Sequence, residues 1–178
     1  MICNGVSLCV LPMPLGCWGN IYSRMSAEYW TDGEKKYTFD EVMADVQSYD
    51  GDVFIGADSQ QHSHRRVFTK VICLYSEERR RGGRYYYQRV SLQESEFESL
   101  MTQLSEETDN ALQLAMRIQE YNPNVRIEIH LDCSPAGSGH GSSRFADMLQ
   151  GWVTSMGFDC KIKPDGWAAC AVADRHSK

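Results

Sequence analysis

Residues 52–59, Asp-Val-Phe-Ile-Gly-Ala-Asp-Ser, form a short, nearly continuous apolar run closed by a carboxylate. Such a run reads as a buried strand, covered on both faces, and that calls for a sheet packed between other elements. Just upstream, Thr38-Phe39-Asp40-Glu41 fits a capping box, in which a Thr hydroxyl and a Glu carboxylate satisfy free backbone donors. A helix therefore begins at Thr38. Phe39, Val42, Met43 and Val46 form its apolar face, and Asp50-Gly51 breaks it.

Further elements follow in the same way. Val67–Ser76 and Arg84–Leu92 read as strands joined by a polar stretch ending in Gly82-Gly83. Residues 94–121 carry the stripe of a long helix, ended by Asn122-Pro123-Asn124. Val125–Asp132 is a fourth strand. A glycine-rich loop, Ser134–Ser142, leads into a helix over Ser143–Met156 that Gly157 stops. Phe158–Lys163 is a fifth strand, and Trp167–Arg175 a last short helix. The order predicts an α/β fold with a mixed, five-stranded sheet and flanking helices. Three antiparallel strands come first, and parallel strands are then added by right-handed crossovers. That is the element order of the ribonuclease-H fold, in which the first and fourth strands are parallel neighbours.

Four acids fall where that arrangement converges. Asp58 closes the first strand and Asp132 the fourth, and open α/β sheets bind ligands at the carboxyl ends of strands. Positions 100, 104, 107, 111, 114 and 118 read Leu, Leu, Glu, Ala, Leu, Ile, so Glu107 is the one charge on the inward stripe of the long helix. A buried carboxylate needs a cation or a proton. In the last helix Trp167, Cys170, Ala171 and Asp174 share a face. The plain alternative for Asp174 is a helix-end acid held by Arg175 or Lys178. Four acids without an evident basic partner predict an all-oxygen site for Mg²⁺ or Mn²⁺.

The formal charge of −6 excludes a generic basic nucleic-acid coat, yet residues 61–90 hold eight of the 18 basic residues against two acids. Arg79, Arg80, Arg81 and Arg84 in that segment are candidates to grip a phosphate chain. The bland alternative is a solvated hairpin. Residues 1–24 carry one charge and no periodicity, so they read as an arm ahead of a single domain over 25–178, with Met25 an alternative initiator that intact mass would settle. Seven cysteines without a CxxC pair indicate reduced thiols rather than a disulfide framework or zinc ribbon. No stretch is apolar enough to span a bilayer and no secretory signal is evident, so the expected location is cytoplasmic.

Weaker motifs have two readings each. Gly139, His140, Gly141 and Ser142 could present backbone N–H groups to a phosphate, with His140 a mobile acid, although no P-loop Lys-Ser/Thr follows. The alternative is a flexible loop with Ser142 as N-cap. His62 and His64 form an HxH pair that reads as a solvated turn before a metal site. Asp165, in Lys-Pro-Asp-Gly, reads as turn chemistry first and a metal ligand second. Of Tyr85, Tyr86 and Tyr87, two face one side of a strand and one the other. Cys133 has no base partner and is not proposed as a nucleophile.

Phe54–Gln60, Ile129–Asp132 with its Gly/Ser loop, and Lys161–Ala169 continuing through Ala173-Asp174 to Lys178 resemble the YkuK family of predicted ribonuclease-H-like nucleases, as does the segment from Tyr29 to Val42. The resemblance spans about Tyr29 to Lys178. It implies a metal-dependent nuclease acting by two metal ions, with Asp58, Glu107, Asp132 and Asp174 as catalytic acids. Asp58, Asp132 and Asp174 would hold Mg or Mn, and nucleic acid (RNA, DNA or hybrid) would be the partner. Two rivals remain: a non-catalytic nucleic-acid-binding or scaffold module on the same fold, and a nucleotide phosphatase or ATPase-like enzyme that uses the glycine loop.

Overall fold

The computed structural model describes residues 29–76, 83–93 and 99–178. The arm over residues 1–24 and the arginines at 79, 80 and 81 lie outside them. Thr38 and Glu41 form the full capping box, each side chain bonded to the other's backbone N–H, and α1 runs over Phe39–Ser48. The long strands are β3 (Asp52–His62), β4 (Arg65–Tyr75) and β5 (Arg84–Gln93). They form an antiparallel meander, and β3 and β4 turn through Ser63, at φ 51°, and His64.

Two short strands precede them, β1 (Trp30–Thr31) and β2 (Lys36–Tyr37), paired antiparallel around a turn. In that turn the Asp32 carboxylate accepts the N–H groups of Glu34 and Lys35, each at 2.8 Å. Thr31 pairs with Tyr87 on β5. The sheet therefore has seven strands rather than five, because two-residue strands are too short to show a period in sequence.

Helix α2 (Leu100–Tyr121) is N-capped by Ser99, and residues 94–98 lie outside the described segments. β6 (Ile127–Leu131) pairs parallel with β3, and β7 (Asp159–Lys161) parallel with β6. A 3₁₀ turn over Gly141–Phe145 and then α3 (Ala146–Ser155) connect β6 to β7. The chain ends in a π-helical stretch, Ala168–Ala173, that continues as α4 (Asp174–Ser177). The sheet order is β2-β1-β5-β4-β3-β6-β7.

Alternation sorts the two faces. Val53, Ile55 and Ala57 of β3 enter the main core with α1, α2 and α3. Phe54 packs in the second cluster, with Val71, Cys73, Trp167, Ala168 and Ala173. Gly56 shares Phe54's face. A Cβ there would stand 2.5 Å from both Ala168 C and Ala169 N, so glycine is what lets the terminal helix lie against β3. Tyr86 enters the main core while Tyr85 and Tyr87 pack on the second cluster, the split expected of three consecutive strand residues. Among the described residues no helix is long and apolar enough to cross a membrane.

Candidate functional site

β3 continues past Asp58 to His62, so Asp58 is interior to its strand and not at its end. What ends there is the parallel ladder. Its last pair is Ala57 with Leu131, and the next residues along the two strands are Asp58 and Asp132. The two residues thus follow matched positions on neighbouring strands.

Asp58 is 7% exposed. Its Oδ2 accepts from Ser177 Oγ at 2.5 Å. Burial first, and then the charges of Asp132 and Asp174, push its carboxyl up to about 6 against the pull of the Ser177 bond. Thr69, opposite Asp58 on β4, is fully buried with no partner for its hydroxyl.

Glu107 arrives from the opposite face of the sheet. It is buried on α2, while Glu106 is half-buried and bonded to Asn110, so the stripe read from sequence has the right register. Leu100, the first residue of that stripe, is partly exposed. Glu107 Oε1 accepts from Ser59 Oγ at 2.7 Å and Gln103 Nε2 at 3.0 Å. Burial, then the neighbouring charge of Asp58, pushes Glu107 up to about 8. Arg66, also buried, reaches Ser59 Oγ from Nη1 at 3.4 Å.

Basic partners, unseen in sequence for Asp132, hold the other two acids. Lys163 Nζ pairs with Asp132 Oδ1, and Lys178 Nζ lies 2.6 Å from Asp174 Oδ2. The helix before Asp174 also departs from the 3.6 spacing. Its N–H bonds Ala169 O, five residues back, so the preceding turn is wider than an α-turn. Ala168, Ala169 and Ala173 point inward and Ala171 outward.

Several contacts fasten this terminal helix over the acids. His130, fully buried on β6, accepts the Ala168 N–H at Nδ1 (3.0 Å). Its Nε2 therefore carries the proton and donates to Glu128 at 2.9 Å, as a neutral imidazole. Burial holds its pKa below the ordinary value. His62 donates to the Ser177 carbonyl at 2.8 Å, so it serves the helix and not a metal pair with His64. The His176 ring stacks on Tyr87 at 3.8 Å and 10°, so that tyrosine is committed to an internal contact.

Ser142 is not a helix N-cap. Its Oγ accepts the Ser134 N–H at 3.1 Å, and His140 stands at the cap position of the 3₁₀ turn. Gly139, His140 and Gly141 are exposed on the loop that leaves Asp132. The Asp165 carbonyl accepts the Trp167 N–H at 2.9 Å, in keeping with turn chemistry. Cys133 is buried and its thiol donates to the Ser142 carbonyl, and the described cysteines are free.

Arg84 is not brought to the acids. Asp58 pairs with Thr69 and Thr69 with Arg89, five residues from Arg84 on β5, which is roughly 17 Å along the strand. Arg84 instead binds Asp45 of α1 at 2.8 Å.

Ser59, Ser177 and Lys163 are thus functional neighbours that the sequence did not single out. Period-2 alternation puts Ser59 on the Glu107 face, and Ser177 lies one turn beyond Asp174. Lys163 had no local signal. Among the described residues, no three His, Cys, Asp or Glu side chains are placed together to hold a metal ion as they now stand. The donor chemistry nevertheless fits a hard cation. The candidate ligands are carboxylate oxygens, and two of the four acids are raised partly by their neighbours' negative charge.

A family model described as Ribonuclease H-like matches residues 37–178. No curated protein matches the chain.

Proposed function

Given that the chain belongs to the ribonuclease H-like family, we propose that it is a metal-dependent nuclease hydrolysing phosphodiester bonds of nucleic acid. The observation that carries this reading is the parallel pairing of β3 and β6, whose last matched pair, Ala57 and Leu131, is followed on the two chains by Asp58 and Asp132, with Glu107 buried on α2 and the terminal helix bonded to Asp58 through Ser177. Asp58, Asp132 and Asp174 would hold Mg²⁺ or Mn²⁺, and Glu107 would hold metal or orient water. Divalent cations bound there supply polarisation of the phosphate and a lowered pKa for the attacking water. Ser177 and Ser59 orient Asp58 and Glu107 by donating to them. The segments ending in Lys161–Lys178 support placing the chain in the YkuK branch of the family. Arg84 would meet the phosphate chain away from the cleaved bond, and Arg79, Arg80 and Arg81 stay candidates for phosphate contact on their charge alone. The exposed loop over Gly139–Ser142 is a candidate for a nearer phosphate.

One observation favours a second reading. Asp132 and Asp174 already carry lysine partners, as the acids of a non-catalytic nucleic-acid-binding module would. The experiment that separates the two is incubation with labelled single- and double-stranded RNA, DNA and hybrid, with and without Mn²⁺, beside Asp58→Asn. Metal-dependent cleavage lost in the variant establishes the nuclease and reveals its substrate. Absence of cleavage on every substrate overturns it in favour of the binding module.

A further inference from the structure

We propose that Lys163 and Lys178 are resident counter-cations of the metal-free site, released from Asp132 and Asp174 when a divalent cation binds. The inference rests on the metal-dependent reading above and adds to it how the metal-free site is kept folded.

The geometry has three parts. First, each lysine is paired to one acid only, Lys163 to Asp132 and Lys178 to Asp174. Among the described residues, the side chains that donate to Asp58 and Glu107 are neutral, Ser177 for one and Ser59 and Gln103 for the other. Second, both ammonium groups are the outer members of their pairs. The Lys163 side chain is 42% exposed against 20% for Asp132, and Lys178 60% against 35% for Asp174. Each ammonium therefore has water to return to, and pairs this exposed are weak enough to be exchanged. Third, the backbone of each lysine lies close to the acid it pairs with. The Lys163 N–H bonds the Cys133 carbonyl at 3.0 Å, next to Asp132, and Lys178 follows Asp174 by one helical turn.

The charges balance. Each lysine neutralises the acid it is paired with, Lys163 for Asp132 and Lys178 for Asp174. Entry of one divalent cation brings two positive charges and two leave with the lysines. The acids then exchange monocations for a single divalent ion, and the freed ammonium groups return to solvent.

The test is calorimetric titration of Mn²⁺ into the full chain and into Lys163→Met, Lys178→Met and the double variant, each checked for folding by thermal melting. Removing a competing cation should tighten Mn²⁺ binding, by roughly tenfold for the double variant. Lys163→Arg, which keeps the charge, should stay near the parent. If Lys163→Met fails to fold, Lys178→Met carries the same readout. Binding in the parent with equal or weaker binding in the variants overturns the inference and leaves the nuclease reading standing. Binding in the double variant alone means that the lysines are permanent occupants, which overturns release and supports the binding module. No binding in any form overturns the metal-dependent reading, and this inference with it.

Discussion

Ser177 Oγ donates to Asp58 Oδ2 across 2.5 Å, joining the last turn of α4 to the central strand 119 residues away. The hydroxyl is a side-chain donor to a buried carboxylate, and the same residue's carbonyl accepts from His62 at 2.8 Å. Ser177→Ala should therefore cost about 1–3 kcal/mol, because it takes that donor away from a buried carboxylate. Denaturant melts measure the loss, and it should be smaller at pH 5, where Asp58 is largely protonated.

Gly56 tests whether the terminal helix must lie against β3. A Cβ at this position would stand 2.5 Å from the backbone at Ala168 and Ala169, which cannot yield as a flexible side chain does. Gly56→Ala should destabilise by about 2–3 kcal/mol or more and displace Asp174, abolishing any metal-dependent cleavage. Gly151 in α3, where an added methyl would meet nothing within 4 Å, is the control: Gly151→Ala should be neutral or stabilise by up to about 1 kcal/mol. Equal effects at the two sites in thermal melts would refute the packing account.

In the metal-free protein Asp58 and Glu107 together should withdraw stability as pH rises from about 5 to 8.5. Buried His130, held below its ordinary pKa, works the other way at the acid end of that range. Burial and like charge hold Asp58 at about 6 and Glu107 at about 8, above their ordinary values of 3.8 and 4.5. At these two acids the native state therefore binds more protons than the unfolded chain between those limits. Their favourable contribution is complete below the ordinary values and is lost as pH climbs through the raised ones. Glu107→Gln should flatten this slope and stabilise the chelated protein at pH 8 by about 1–3 kcal/mol. Mn²⁺ should restore stability to the parent more at pH 8 than at pH 5. Urea titrations across pH, with chelator and with Mn²⁺, check both.

His130 should resist replacement by a ring that cannot accept a hydrogen bond. Its Nδ1 is the acceptor for the buried Ala168 N–H, and Phe54 and Trp167 pack against the ring at centroid distances of 5.3 Å each. His130→Phe keeps much of the packing and orphans that N–H, at a cost of about 1–3 kcal/mol. Hydrogen exchange at Ala168 should accelerate in the variant while the β3–β4 amides stay protected.

Local chemistry explains what was legible in the chain of residues alone. The Thr38–Glu41 box, the buried run at Val53–Ala57 and the placement of Glu107 rather than Glu106 on the inward stripe depend on residues a few positions apart, so cap chemistry and periodicity carry them. The neighbouring of Asp58 and Asp132 followed from element order and the handedness of crossovers. Where a local rule met another element, it failed. The 3.6 period assigned Ala171 to the inward face, but the i→i+5 bond before Asp174 rotates that face away. The two short strands carry too few residues for any period.

Sequence by itself thus determined the longer elements, the central parallel pair and four acidic candidates, because each is encoded by spacing along the chain. Tertiary structure decided which distant cations meet those acids; the Lys178–Asp174 pair is local, one helical turn along the chain. Lys163 and Lys178 reach Asp132 and Asp174, while Arg84 is drawn to Asp45 at the other end of the meander. Coulomb energy depends on distance through space, and for Lys163 and Arg84 that distance exists only after β6, β7, α1 and β5 have taken their places in the fold.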